Sequence, residues 1–227
     1  MKYKDLVWGI IIILITSIIM IPETRSIFES LTTSYPYLMG FIKTAILASM
    51  GERLVIRIKT GYYFHDQGII AKAIVWGLLG MVFVLIFKVF AKGVEASQTA
   101  RLLPVITNPQ WAALLLTAFL TSLLMNLFFA PTFMMLHRVT DGYINQAEGN
   151  IKRLFTIQFK DVIKHIDFNY FFSFVIFKTI PFFWIPAHTI TFLLPENYRV
   201  LMAAYLSIML GLLLTLKNNQ TNRTASH

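Results

Sequence analysis

From Trp111 to Leu136 the chain carries no charged residue, and from Leu6 to Pro22 it carries none either. A bilayer core is crossed by about 20 helical residues. Runs of this length therefore predict an integral membrane protein. The wider composition agrees: 56% of the 227 residues are apolar and 14% charged, whereas soluble domains are about a quarter charged. No strand pattern competes, because a membrane barrel would alternate over segments of about ten residues. The expected fold is all-α, a polytopic transmembrane bundle forming a single membrane domain over residues 1–227, with a short polar tail over 217–227.

Six spans are expected: 6–22, 36–51, 69–91, 111–136, one starting near Phe168 and interrupted at Pro181 and Pro186, and 199–216. Lys2 and Lys4 precede the first run as they would in a signal peptide. The run is long for a signal core, and Ile21-Pro22-Glu23-Thr24-Arg25 offers no small-x-small cleavage site, so an uncleaved helix is expected.

Lysine and arginine set the orientation. With both termini in the cytoplasm, Arg53, Arg57, Lys59, Lys72, Arg138, Lys152, Arg153, Lys160 and Lys164 lie inside, while the outer loops keep Arg25, Lys92 and Arg101. The inner loop, 137–167, alternates Ile151, Leu154, Phe155, Val162 and Ile166 with Lys152, Arg153, Lys160 and Lys164. This reads either as an amphipathic helix on the inner leaflet or as a cap helix under the bundle.

The net charge of +9 fits basic loops meeting anionic lipid. Nucleic-acid binding is not expected, because no basic stretch is interleaved with stacking aromatics. Cysteine is absent, which excludes disulfides and thiolate sites. Neither H-E-x-x-H, G-x-S-x-G nor a phosphate loop occurs, and His65, His137, His165, His188 and His227 are not spaced to share a metal. No enzyme, metal or cofactor is expected. The sequons at Asn219 and Asn222 fall on the inner side of this topology.

Lys43 and Lys178 sit within apolar spans. Such a charge marks a water-lined interior or snorkels to the interface on its long stem. Small residues recur every fourth position at Gly40, Thr44, Ala48 and at Ala203, Ser207, Gly211, Thr215, which lets backbones approach closely.

Trp184-x-Pro186, Phe192, Pro195 and Tyr198-Arg199 resemble the C-terminal signature of the Mpv/PMP-type family of peroxisomal and mitochondrial inner-membrane proteins. Ala130-Pro131, His137-Arg138 and Asp141 are similar to its Gly-Pro…His-x-Trp-Tyr…Leu-Asp stretch. Tyr35-Pro36, Thr44-Ala45 and Gly51-Glu52 are similar to its Thr-Ala…Gly-Asp. The chain departs from the pattern where Ile185 separates Trp184 from Pro186 and where Met134 and Leu136 replace a His and a Trp. The resemblance spans 35–59 and 110–217 and implies a small-solute pore or a role in membrane homeostasis.

Pro181 and Pro186 free backbone carbonyls within the fifth span, and His188, Thr189 and Thr191 are expected either to bond them or to line a vestibule. The pore candidates are Lys43, Lys178, His188, Thr189, Thr191 and Arg199. Two functions stand: a channel or carrier for small metabolites, favouring anions, and a non-transporting scaffold acting through the basic inner face. The expected partners are the bilayer, anionic lipid at that face and further copies of the chain in a homo-oligomer. The expected location is a prokaryotic inner membrane, with an organelle membrane as the alternative.

Overall fold

Prolines set several helix starts. Pro22, Pro36, Pro131 and Pro186 each lie in the first turn of a helix, where the missing N–H has no intrahelical partner to lose. The structure, a computed structural model, describes residues 2–64 and 68–224, and among these there is no strand. In order run α1 (Lys2–Met20), α2 (Pro22–Ser34), α3 (Pro36–Thr60), α4 (Ile69–Thr99), α5 (Gln110–Phe128), α6 (Ala130–Ala147), α7 (Ile151–Leu154), α8 (Phe159–Lys164), α9 (Phe168–Tyr170), a π-helical stretch (Phe171–Trp184), α10 (Ile185–Leu193) and α11 (Glu196–Thr224). His65, Asp66 and His227 lie outside the described residues.

Among the described residues, four helical segments are long and apolar enough to cross a membrane: Tyr3–Met20, Ile69–Thr99, Gln110–Phe128 and Phe168–Leu193. This is consistent with an integral membrane protein. The two remaining long helices, α3 and α11, form the middle of the bundle, where α3 packs against both α4 and α11.

Glycine permits the α3–α4 approach. A Cβ on Gly40 would meet Val84 Cγ2 at 2.6 Å and the Gly80 carbonyl oxygen at 2.9 Å. One on Gly80 would overlap the Thr44 hydroxyl and the Gly40 carbonyl. On the other side of α3, Gly51 faces Ile208, and Gly211 faces Val55. The small-residue face of α3 therefore meets α4 at Gly40 and Thr44 and α11 at Gly51.

Helix α1 is peripheral, with none of its Tyr3–Met20 window buried. Polar ties hold it. Trp8 Nε1 donates to the Met50 carbonyl (3.1 Å), the Thr16 and Tyr205 hydroxyls lie 2.9 Å apart, and Arg57 donates twice to Asp5 (2.9 Å each). Such bonds count in a bilayer, where lipid is as apolar as the helix surface and burial gives no drive.

Four sequence expectations change. The uncharged run 111–136 is two helices, because Pro131 cannot donate to the Leu127 carbonyl and its ring crowds that turn. Helical bonds persist on both sides, Phe129 N–H to Met125 and Phe133 N–H to Phe129, so the join is a local kink. The outer loop after the first span contains α2, an added helix that buries Phe28. The expected amphipathic helix of the 137–167 loop is instead the end of α6 followed by short α7 and α8. Glu148 and Gly149 adopt left-handed conformations (φ 52° and 77°) and Asn150 caps a new start, which stops one helix from running through. Finally, α11 continues through the expected polar tail to Thr224.

The fifth span is also not rescued in the expected way. Its middle is wound with wider turns: the Ile185 N–H reaches back five residues to the Ile180 carbonyl, and Pro181 sits inside this stretch. Thr189 and Thr191 donate to the Ile185 and Ala187 carbonyls (2.7 and 3.0 Å). These are ordinary bonds to the preceding turn of α10, not to carbonyls freed by the prolines.

Candidate ligand cavity

Helices α3, α4, α5, α6, the π-helical stretch, α10 and α11 surround a cavity of about 370 Å³. Its deep end is closed by Phe87, Met125 and Ala203, which pack with Phe192 and Val200 into a hydrophobic cluster. Its walls are mainly apolar, with Phe83, Phe133, Phe174 and Val175 among them. Its polar end is marked by Glu52, His137, Arg138, Asp141 and Asp167. Pockets of this volume with a few placed polar groups are the usual form of small-molecule sites.

The polar end is built by charges held between helices. Glu52 accepts from Lys72 Nζ (3.1 Å) and Trp76 Nε1 (3.4 Å), with Arg53 Nη2 at 3.7 Å. Lys72 and Arg53 are both buried, so this group ties α3 to α4. The Trp76 ring lies 4.3 Å from that of His137. His137 Nε2 stands 3.5 Å from Asp141 Oδ2, one turn further along α6. His137 Nδ1 and Asp141 Oδ1 have no partner within the protein. Burial pushes the Asp141 carboxyl above its ordinary value, opposed in part by His137.

The deep end repeats this pattern with neutral groups. His188 is 7% exposed. Its ring stacks on Trp184 (5.3 Å, 17°) and meets the edge of Phe87 (5.5 Å). Neither His188 Nδ1 nor Trp184 Nε1 has a partner. Beside them, Asn126 donates to the Ser122 carbonyl (2.8 Å), and the Ser122 hydroxyl donates to the Ile185 carbonyl (2.7 Å), fastening α5 to α10. A buried polar group without a partner costs about 1–3 kcal/mol. Four such atoms belong to residues on the walls of one cavity, each of them shielded from solvent by its neighbours.

Among the sequence-derived pore candidates, His188 lines this cavity and the others do not. Lys43 is buried but turned elsewhere: it donates to the Thr32 hydroxyl (2.9 Å) and the Asn197 carbonyl (3.2 Å) and sits 4.5 Å from the Phe28 ring centre. It joins α2, α3 and the α10–α11 turn. Lys178 is exposed on the outer side of the π-helical stretch. Thr189 and Thr191 are tied within α10. Arg199 donates to the Leu194 and Phe192 carbonyls (3.0 and 3.2 Å) and lies over the Phe192 ring, closing the end of α10.

Of the motif residues, Thr44, Gly51, Glu52, Ala130, His137, Arg138, Asp141 and Trp184 line the cavity. Pro131 makes the kink beside lining residue Ala130, Pro186 starts the helix that carries His188, and Pro195 lies in the turn before α11. Sequence reasoning named His137 only within a motif resemblance, not as a site residue, and missed Trp76. The four-residue spacing of His137 and Asp141 is visible in the sequence, but only a continuous helix past Leu136 makes it a pair. Among the described residues, no group of three or more His, Asp or Glu is placed to hold a metal ion.

No family model matches the chain, and no curated protein or solved structure matches it either. The Mpv/PMP-type resemblance rests on the quoted motif residues alone.

Proposed function

We propose that the protein is a membrane carrier that takes a small amphipathic molecule into the cavity from its basic face and moves it across the bilayer. The observation that carries this reading is the cavity itself: mainly apolar, bordered at one end by a packed hydrophobic cluster, and lined by residues whose buried polar atoms have no partner. A continuous channel would have no such floor. No chemical step is assigned, and the protein acts as a binder and transporter, not an enzyme.

The proposed topology has six crossings. Helices α3 and α11 have 25 and 29 residues, or about 37 and 43 Å at 1.5 Å per residue. Packed within the bundle, they need not be apolar all round. Glu52, Lys72, His137 and Asp141 share one end, while Lys43, Glu196 and Asn197 share the other. In the lysine and arginine topology the first end is cytoplasmic, facing anionic lipid, in a prokaryotic inner membrane. The Mpv/PMP-type resemblance supports the same reading, because eight of its quoted motif residues line the cavity. The positions of Lys43 and Lys178 remove the basis for an anion preference.

The scaffold reading keeps one supporting observation, the exposed Lys152, Lys160 and Lys164 on and beside α7 and α8. Flux separates the two. Purified protein in liposomes is loaded with labelled cationic, anionic and zwitterionic amphiphiles in separate groups. A carrier gives saturable efflux above protein-free liposomes in at least one group, and Ser207→Trp, which fills the cavity, abolishes it. Folded protein with no flux in any group leaves the scaffold.

A further inference from the structure

We propose that the cavity takes organic monocations with a bulky apolar body, their positive charge held by the Asp141 carboxylate. This rests on the reading of the cavity as a solute site and names the class of solute.

The argument begins with which charges face the cavity. Glu52, Asp141 and Asp167 do, and Arg138 is the one lysine or arginine that does among the described residues. Arg138 is exposed at the rim, where solvent screens it. Lys72 and Arg53 stand at Glu52 and do not line the space, Lys43 is bonded to Thr32 and Asn197, and Lys178 is on the outer surface. Glu52 is thus matched by cations of its own. Asp141 has no lysine or arginine partner: a histidine stands 3.5 Å from Oδ2, Oδ1 is buried without a partner, and the side chain is 22% exposed where it meets the cavity.

A largely buried carboxylate with an unpartnered oxygen is costly unless a positive group or a proton meets it. The walls favour the first partner when a ligand is present. Trp76, Phe133, Phe174 and Trp184 line the space, and aromatic faces attract cations. An inorganic cation would need a shell of oxygen ligands, which these rings do not provide. A lipophilic cation needs apolar wall and one counter-charge, and both are present. His188 is a second polar group at the deep end: it is 7% exposed, belongs to the cavity wall, and leaves its buried Nδ1 without a partner within the protein.

The test uses two probes of the same shape and opposite charge, tetraphenylphosphonium and tetraphenylborate. Binding to the purified full chain in neutral detergent is followed by tryptophan emission, since Trp76 and Trp184 line the cavity. The phosphonium should bind saturably and at least about tenfold more tightly than the borate, as expected when a buried charge pair is made. Asp141→Asn should remove that preference, Asp141→Glu should retain most of it, and Asp161→Asn, on α8 and outside the cavity, should leave it unchanged. Equal or tighter borate binding by the parent would overturn the proposal while leaving the cavity as a solute site. So would a phosphonium preference that survives in Asp141→Asn. If Asp141→Asn does not fold, loss of the preference in Asp141→Glu decides against the carboxylate. Failure of the folded parent to bind either probe would overturn the cavity reading as well.

Discussion

Lys43 and Asp141 are both charged groups held among helices, and what each meets gives it a different role. Lys43 finds a hydroxyl, a carbonyl and a ring face, so its charge works as a fastening between elements. Asp141 finds one distant histidine at Oδ2 and no partner at its buried Oδ1, on the wall of the cavity. Its carboxyl lies above the ordinary value because burial disfavours the ionised form. In the unfolded chain it ionises near its ordinary value, so between the two values the folded state holds the proton more tightly. Stability from this group is therefore fully present below the unfolded pKa and declines as pH rises through the folded one. Asp141→Asn removes the ionised form. The variant should melt higher than the parent at neutral pH, with the gap closing as pH falls toward about 4, near the unfolded carboxylate value. Calorimetry or tryptophan emission in detergent would show this. A gap that stays constant with pH would mean that Asp141 is compensated in the folded protein.

At the scale of elements, the tightest constraint is the α3–α4 seam. Gly80→Ala would place a methyl group against the Thr44 hydroxyl and the Gly40 carbonyl, and overpacking of this kind costs about 1–3 kcal/mol. Gly93→Ala lies on the same helix with nothing within 4 Å of the new methyl. It should be neutral or stabilising by up to about 1 kcal/mol, from helix propensity. Melting in detergent should therefore fall for Gly80→Ala and not for Gly93→Ala; equal effects would mean that the seam is looser than described. The helices themselves were legible because uncharged runs and first-turn prolines are local signals. The break at Pro131 was not, since proline both kinks and starts membrane helices, and the neighbouring residues settle which. The stripe Ala203, Ser207, Gly211 was legible as a packed face, but its second role, lining a cavity, depends on helices distant in sequence. His188 was identified for its place beside Pro186, whereas the contacts of Lys43 were not legible, because the hydroxyl and carbonyl that hold it come from Thr32 and Asn197.

The whole molecule has two unlike ends. At one, Tyr198 donates to Glu29, and Lys43 and Arg199 close the α10–α11 turn. At the other, Glu52, Lys72, His137 and Asp141 surround the polar end of a cavity beside the basic loops. On the proposed carrier reading, a one-sided cavity is what separates a carrier at rest from an open pore or an inert bundle. The chain has no cysteine, so single cysteines report sidedness without background. Ser207 lies on the cavity wall and Ser34 ends α2 near the opposite end. With Ser207→Cys and Ser34→Cys in separate proteins, a membrane-impermeant maleimide is applied to inverted and to right-side-out vesicles. Position 207 should be modified from the cytoplasmic side alone and position 34 from the outside alone. Modification of both from the same side, or a position 207 that stays unmodified from either side while position 34 reacts, would contradict the cavity as the protein's working site.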